Sequence, residues 1–309
     1  MFFGYHLPNF TFPDAGPADL FDRFVNLALT AEAEGFDLVT VMDHVYQIRG
    51  IGSETEPMLE AYTTLGALAA RTSRVKLATM VTGVTYRNPA MLAKQVTTLD
   101  VISHGRALLG IGAAWNDDEH RGFGYDFPPV RERMDRLEEA LTIARLMFTE
   151  ERPSFQGVHY RLDGALNYPR PLQPGGPRII VGGGGEQRTL RIAAKHADIT
   201  NWFGPLDIIQ HKDHVFRRHC EAVGRDESTV RRTVTMPLLL ADTERAARAS
   251  LENVDPARRP YAPVGTPAMA ADFIRPYLDA GFDSFIFRTV MPTRPEAIHL
   301  AGDVIRLIT

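Results

Sequence analysis

The chain has 309 residues, of which 44% are hydrophobic and 23% charged, a balance typical of a globular chain with a sizeable core. Its formal net charge of -4 leaves no basic surface for nucleic acid or an anionic membrane, and no apolar run is long enough to cross a bilayer. The single cysteine, Cys220, excludes an internal disulfide and a cysteine-based zinc site.

The chain starts with MFFGYHLPNF, which lacks the basic region of a signal peptide, so we expect a cytoplasmic protein. From there, short β-like runs alternate with longer amphipathic stretches. Strands are predicted at 2–7, 37–42, 76–81, 106–112, 178–183, 197–204, 234–241 and 283–290. Helices are predicted at 18–34, 57–72, 88–103, 130–148, 186–196, 206–223, 267–280 and 295–307. Two helix ends have clear signals, since Gly35 fits a C-cap and Asn88-Pro89 fits an N-cap with proline at the first helical position.

These eight strand–helix units predict the fold. Strands separated by crossover helices must be parallel, and eight in series close most simply into an α/β architecture, the (β/α)8 TIM barrel, with residues 1–309 as one domain. The alternative is a doubly wound open sheet, which would more often carry a phosphate-binding fingerprint at the first turn, where GYHLPNF has none. Two insertion segments, 150–177 after the fourth helix and 242–264 after the seventh strand, have the length of lids or binding loops.

The second predicted strand ends on Asp43 and His44, an acid and an imidazole directly after the apolar run FDLVTVM. A barrel concentrates its chemistry at the carboxyl ends of its strands, where a general acid or base is useful. The other polar or glycine-rich strand ends are His6, residues 80–82, residues 113–116, residues 182–185, Asn201-Trp202 and Arg288. A second interpretation stays open, in which Asp43 begins a turn and His44 is exposed beside it.

The segment IIVGGGGEQRTL (179–190) places four glycines between a predicted strand and a helix. Free backbone N–H groups in such a loop can converge on an anion, the helix N-terminus adds its dipole, and Arg188 could supply further donors. A simple glycine turn is the alternative, although four consecutive glycines lose much entropy on folding. The ten histidines include no H-x-H or H-E-x-x-H, and His211 and His214 lie on a basic helix, so no metal site is predicted.

The order of these features resembles the bacterial luciferase-like superfamily of flavin- and deazaflavin-dependent oxidoreductases. The residues that carry the resemblance are VMDHV, the stretch 77–124 and the glycine loop at 181–185, and the resemblance extends over essentially the whole chain. Asp43-His44 and GIGAAW are most similar to the branch that uses coenzyme F420, with FMN as the alternative. The resemblance implies a (β/α)8 barrel with the ring of the coenzyme in the mouth and its phosphate near the loop after strand five.

The resemblance also implies residue roles. His44 is expected to be catalytic, with Asp43 fixing its tautomer or binding a coenzyme hydroxyl, and Met80-Val81 is expected to form a bulge with a cis peptide behind the ring. The expected coenzyme-binding residues are Asp43, Met80, Val81, Thr82, Gly112, Ala113, Ala114, Gly182, Gly183, Gly184, Gly185, Glu186 and Arg188. The expected substrate-binding residues are His6, Trp115, Asn116 and Trp202. Either tryptophan could instead belong to the core.

The predicted function is therefore hydride transfer between coenzyme F420 and a small organic substrate. One departure concerns the sugar-phosphate dehydrogenases of this branch, in which a carboxylate donates the proton where this chain has Trp115, so we do not expect that activity. An FMN-dependent monooxygenase is the alternative within the family, and a non-catalytic flavin-binding carrier or sensor is the alternative of another class. The resemblance implies a homodimer, and nucleic acid and membrane are not expected partners.

Overall fold

The computed structural model describes residues 1–252, 263–289 and 294–309. Its strands and helices are, in chain order, β1 (Phe2–Leu7), α1 (Leu20–Ala33), β2 (Leu38–Val41), α2 (Ala61–Arg71), β3 (Lys76–Thr79), β4 (Thr82–Gly83), α3 (Pro89–Ile102), β5 (Leu108–Gly112), α4 (Asp117–Phe123), α5 (Val130–Thr149), β6 (Phe155–Gln156), β7 (Arg161–Leu162), β8 (Arg178–Gly182), α6 (Thr189–His196), β9 (Ile199–Phe203), α7 (Leu206–Ala222), β10 (Arg231–Leu240), α8 (Glu244–Glu252), β11 (Val264–Gly265), α9 (Pro267–Asp279), β12 (Ser284–Thr289) and α10 (Pro295–Ile308). A 3₁₀ turn at Glu227–Thr229 precedes β10. None of the helices in these residues combines the length and apolar character that a membrane span requires.

The main sheet is a parallel barrel. Its strands follow the order β3-β2-β1-β12-β10-β9-β8-β5-β4. The third strand is interrupted: β3 pairs with β2, β4 pairs with β5, and a parallel bridge between Leu77 and Ala107 joins the two edges. The prediction of a (β/α)8 TIM barrel is therefore confirmed.

Apolar side chains fill the structure in two layers. Within the barrel, a small cluster takes one residue from each of seven strands: Phe2, Leu38, Ala78, Leu108, Ile180, Ile199 and Ile286. Alternate residues of the same strands, such as Phe3 and Val39, belong to the larger cluster shared with the helices. Both faces of each strand are thus buried, as expected for a barrel whose helices cover the outside.

The connecting segments contain more structure than the sequence indicated. The helix α4 was not predicted, and it follows β5 directly with Asn116 at its N-cap. The insertion 150–177 holds the antiparallel pair β6–β7, and the Glu139 carboxylate of α5 accepts hydrogen bonds from the amides of Val158 (2.7 Å) and Tyr160 (3.0 Å). In the other insertion, α8 and β11 are described, whereas residues 253–262, like position 290 of the last predicted strand, lie outside the described residues.

Candidate active site

A cavity of about 460 Å³ opens at the carboxyl ends of the barrel strands. It brings together the predicted residues Asp43, His44, 80–82, 112–115, Gly182 and Gly183. Gly83, Tyr86, Thr189 and Phe203 complete its wall. Five of the seven strand ends that the sequence placed at one edge of a barrel, those of β2, β3–β4, β5, β8 and β9, therefore meet at this cavity, and β9 contributes Phe203 in place of the predicted Asn201 and Trp202.

The interruption of the third strand forms one side of this cavity. The peptide bond between Met80 and Val81 is cis, which confirms the expected bulge with a cis peptide. Val81 packs against two neighbouring strands, because a Cβ atom on Gly112 or Gly182 would come within 2.9 or 2.8 Å of it. The Thr82 hydroxyl is buried and lies 2.9 Å from the Tyr62 hydroxyl. The two glycines thus let an apolar side chain project into the wall of the cavity.

Asp43 is buried and forms a bidentate pair with Arg87, at 2.5 and 3.1 Å, and Arg87 also contacts Glu60 at 2.6 Å. Burial raises the pKa of the Asp43 carboxyl, and the Arg87 guanidinium opposes that shift. A bidentate contact uses both carboxylate oxygens. The expectation that Asp43 fixes the tautomer of His44 is therefore wrong, because another carboxylate contacts that imidazole.

That carboxylate belongs to Glu119 of α4, which is fully buried. Its Oε2 lies 2.6 Å from His44 Nδ1 and 3.1 Å from the Tyr86 hydroxyl, and its Oε1 accepts from the Val45 amide at 2.6 Å. Burial raises the pKa of Glu119, but the hydrogen bonds from His44 and Val45 outweigh it, so the pKa lies below its usual value. The buried Glu119 is thus held as a carboxylate against His44.

Trp115 and Asn116 both contact this pair. The Trp115 side chain is 62% exposed, lines the cavity and contacts the His44 ring edge-on at a centroid distance of 5.8 Å. The Asn116 amide donates to Glu119 Oε2 at 2.8 Å, so this expected substrate residue supports the carboxylate instead of facing the cavity. Ala114, just before Trp115, has a positive φ of 61°, a left-handed backbone that costs a residue with a Cβ of order 1 kcal/mol and clusters at functional sites.

Two expected substrate residues do not reach the cavity. Trp202 is 1% exposed and packs edge-on against Phe216 of α7, so it belongs to the core between strand and helix. Its neighbour Asn201 faces the other way and bonds to Thr233. His6 is buried within the barrel, 2.9 Å from the Thr40 hydroxyl, and burial, aided by Arg288, lowers the pKa of His6 to about 3.

The glycine loop has a different character. The amides of Gly183 to Glu186 donate no hydrogen bond within the described residues, and Lys212 of α7 approaches from one side, with its Nζ 2.7 Å from the Gly184 carbonyl oxygen. Arg188, which was expected to supply donors here, pairs with Asp135 of α5 and lines a surface cavity together with Gly185 and Glu186. Free amides and a lysine are groups that can donate hydrogen bonds to an anion.

The side chain of Glu186 pairs with His211 at 3.2 Å on the surface, so only its amide faces the loop. Within the described residues, no group of three histidine, cysteine, aspartate or glutamate side chains is placed to hold a metal ion. The cavity therefore joins two parts with different chemistry. The wall with its one imidazole can accommodate a planar ring, and the amides of the adjoining loop can donate to an anion.

The family model of the luciferase-like monooxygenases matches residues 1–280. The chain belongs to this family. An F420-dependent glucose-6-phosphate dehydrogenase of Kineococcus radiotolerans is 34% identical over 217 residues, 70% of this chain and 63% of that protein, slightly less than two thirds of its length. A protein of the same name from Amycolatopsis mediterranei is 29% identical over 301 residues, 88% of each chain. A solved F420-dependent secondary alcohol dehydrogenase, in complex with an F420-acetone adduct, superimposes with a TM-score of 0.83 at 20% identity over 100% of this chain and 99% of that one, which shows a common fold.

Sequence reasoning missed four residues of the cavity wall, Gly83, Tyr86, Thr189 and Phe203. It also missed three charged residues that contact the predicted ones: Arg87, Glu119 and Lys212. Arg87 directly precedes the Asn88-Pro89 helix start, in the loop after the third strand, where a polar residue could have been noted. Glu119 lies in the acidic run DDEH, which is typical of the first turn of a helix. Lys212 carried no signal, because only the packing of α6 against α7 brings it to the glycine loop.

Proposed function

We propose that the chain is an F420-dependent oxidoreductase that transfers a hydride between the coenzyme and a small organic substrate. The observation that carries the proposal is the position of His44, whose imidazole lines the same cavity as the Met80-Val81 bulge and the first glycines of the anion loop. A ring placed there would have a proton carrier at its edge and a site for its phosphate. The names of the two relatives support the choice of coenzyme.

Bound F420 would supply the carbon that accepts or gives the hydride. The residues of the chain would bind and orient the coenzyme, exclude water and carry the proton. The amides of Gly183 to Glu186 and Lys212 would bind the phosphate, Val81 would orient the ring, and Trp115 would cover the cavity against water. His44 would take up the proton that leaves the substrate with the hydride, or return it in the reverse reaction.

A titration tests the coenzyme. Purified protein is titrated with F420 and separately with FMN, and binding is followed by fluorescence. We expect micromolar or tighter binding of F420 and distinctly weaker binding of FMN. FMN binding as tight as F420, with oxygen consumption in the presence of reduced FMN, would move the chain to the monooxygenase alternative that the family description also includes. Tight F420 binding with no turnover of any substrate would favour a carrier or sensor.

Identification of the substrate requires a panel of candidate compounds. The expectation against sugar phosphates was based on Trp115, which cannot donate a proton, yet two relatives are named F420-dependent glucose-6-phosphate dehydrogenases. Glucose 6-phosphate therefore belongs in the panel with secondary alcohols and ketones. Turnover of at least one of these, followed by the absorbance of the coenzyme, is the expected result. Oxidation and reduction assays on the same compounds establish the direction in which the enzyme works.

We also propose a homodimer, formed through an apolar strip on α3 and segment 166–172. Five large apolar side chains of this strip are more than 40% exposed: Met91, Ile102, Leu166, Tyr168 and Leu172. The two parts of the strip adjoin, because the Leu172 amide donates to Asp100 of α3 at 2.7 Å. Exposed apolar surface of this kind is typical of a subunit interface. The occupant we propose is the same strip of a second copy, as in an isologous dimer.

Light scattering after gel filtration tests the dimer. Leu172→Lys should shift the mass from two chains to one. Val158→Lys is the matched control, because Val158 is 89% exposed at the β6–β7 hairpin, outside the strip. A wild-type mass of one chain at micromolar concentration would contradict the proposal.

We further infer a cytoplasmic location. The lone Cys220 is free and buried, and a protein without disulfides suits a reducing compartment. Fractionation of cells that express the tagged chain tests this inference, and recovery in a secreted fraction would contradict it.

A further inference from the structure

We infer that Glu119 is a positioning residue for His44. The Glu119 carboxylate holds the imidazole as the tautomer with its proton on Nδ1, and this leaves the lone pair of Nε2 for exchange with the substrate. The inference rests on the proposed function for its catalytic consequence, but the tautomer itself can be measured without coenzyme or substrate.

The neighbours of Glu119 determine its state. His44 Nδ1 (2.6 Å), the Asn116 amide nitrogen (2.8 Å) and the Tyr86 hydroxyl (3.1 Å) surround Oε2, while the Val45 amide donates to Oε1. The amide groups can only donate here, and a carboxylate that accepts from several donors is favoured in its ionised form. An ionised carboxylate cannot donate, so the hydrogen between Glu119 and His44 belongs to Nδ1. A neutral imidazole with hydrogen on Nδ1 has its lone pair on Nε2.

The helix α4 fixes Glu119 in this position through the next residue, His120. His120 is fully buried, with Nδ1 2.6 Å from the Asn116 carbonyl oxygen and Nε2 2.6 Å from the Thr85 hydroxyl. Because a carbonyl only accepts, Nδ1 of His120 donates to Asn116, and the Thr85 hydroxyl donates to Nε2. His120 thus connects the start of α4 to the loop after β4. This connection and the contacts of Glu119 with His44 and Val45 together fix the position of Glu119.

Glu119 itself cannot be the group that exchanges protons with the substrate, since its side chain has no exposed surface. His44 retains 13% exposure of its side chain and faces the cavity. When the substrate loses a hydride and a proton, Nε2 takes the proton and the imidazole becomes a cation. The positive charge then faces the Glu119 carboxylate at the Nδ1 contact, which stabilises it, and in the reverse direction Nε2 returns the proton.

The tautomer is measured by nitrogen NMR on protein labelled with ¹⁵N-histidine, without coenzyme, at a pH where His44 is neutral. His44→Asn identifies the His44 signals by their loss. Wild-type protein should show hydrogen on Nδ1 and a lone pair on Nε2. In Glu119→Gln the side-chain amide can donate to Nδ1, so the proton should move to Nε2 or divide between both nitrogens. An unchanged tautomer in Glu119→Gln would overturn the inference.

Kinetics then test the consequence. With F420 and a substrate from the panel, Glu119→Gln should lower kcat by about 10²-fold or more, because a wrong tautomer disables a catalytic histidine, with little change in coenzyme affinity. Asp118→Asn is the matched control, since Asp118 is 67% exposed on the same helix and pairs with Arg121. A shifted tautomer with undiminished kcat would overturn the positioning role.

A second variant covers the case in which Glu119→Gln does not fold. Glu119→Asp keeps the charge but shortens the side chain by one methylene, so it should lose the Nδ1 contact and give a mixed tautomer, and thermal melts verify its folding. If Glu119→Asp kept the wild-type tautomer although its carboxylate no longer reached Nδ1 of His44, that result would again contradict the inference. Absence of any turnover by the wild type would count against the proposed function alone, because the NMR result does not depend on it.

Discussion

The two parts of the cavity differ in how their polar groups are satisfied. At the end formed by Asp43, His44, Arg87 and Glu119, which we name the proton end, each carboxylate is buried and bonded to a cation or an N–H group. At the end formed by Gly183 to Glu186, the anion end, the backbone is exposed and the amides are free. The first end is organised by bonds within the chain, and we expect a ligand to supply the partners of the second.

This difference has a physical reason. Proton transfer depends on fixed geometry, and a network of buried hydrogen bonds supplies that geometry. The members of such a network depend on one another, so the loss of one side chain affects the others. Anion binding needs donors whose only present partner is water, so that a phosphate can replace the water. We therefore expect substitutions at the proton end to affect turnover and stability, and substitutions at the anion end to affect coenzyme affinity.

The largest effect is expected for His44→Asn. Removal of the proton carrier should lower turnover by about 10²–10⁴-fold, the usual range for acid–base catalysis, while the Kd of the coenzyme changes little. The measurements are steady-state kinetics and a fluorescence titration. His214→Asn, on the exposed surface of α7, is the control. Near-normal turnover in His44→Asn would leave the proton end without its catalyst, and His44 would be a residue that merely follows a strand.

Arg87→Leu should have the next largest effect, on stability. It leaves Asp43 buried without its bidentate partner, and breaking a buried pair from one side costs about 3–5 kcal/mol. Urea unfolding measures the change in the free energy of unfolding. Arg121→Leu removes an exposed pair with Asp118 and should cost less than about 1 kcal/mol. Equal effects of the two variants would show that the proton end is not a coupled buried network.

His6 allows a pH test just below the proton end. Burial, aided by Arg288, lowers its pKa from 6.5 to about 3. Between these values the unfolded chain binds a proton that the folded chain does not, so stability is present above pH 6.5 and is lost as the pH falls. From pH 7.5 to pH 5 the loss due to His6 amounts to about 2 kcal/mol.

The measurement is urea unfolding of wild type and His6→Gln at both pH values. The variant should lose about 2 kcal/mol less than the wild type over this interval, whatever its stability at pH 7.5. Identical losses would mean that folding does not lower the pKa of His6.

Local patterns were sufficient to predict most of the barrel and much of the cavity. Strands and helices alternate with clear end signals, and Asp43 and His44 stand out because they end an apolar run. The orientation of Trp202 was not predictable in the same way. Strands of a parallel barrel are buried on both faces, so apolar alternation cannot tell which side faces the helices. Asn201, its polar neighbour, is the residue that points inward.

The residues that sequence reasoning missed were missed for a different reason. The helix α4 has only seven residues, DDEHRGF, with no apolar period to predict it. Glu119 and His44 are 75 positions apart, and Arg87 and Asp43 are 44 apart, so their contacts exist only after the strands have assembled. The role of Arg188 stays a prediction, because its guanidinium pairs with Asp135 of α5 while the residue lies beside Gly185 and Glu186.

The smallest effect is expected at the anion end, for Gly184→Val. A Cβ atom on Gly184 would lie 2.8 Å from Lys212 Nζ, so the lysine must move, and the branched side chain would cover the neighbouring amides. Loss of about one charged hydrogen bond should raise the Kd of the coenzyme about tenfold, with kcat at saturation nearly unchanged. Gly16→Val, where nothing lies within 4 Å, is the control. If Gly184→Val lowers kcat and leaves the Kd unchanged, the coenzyme does not bind its phosphate at this loop, and the division between the two ends is wrong.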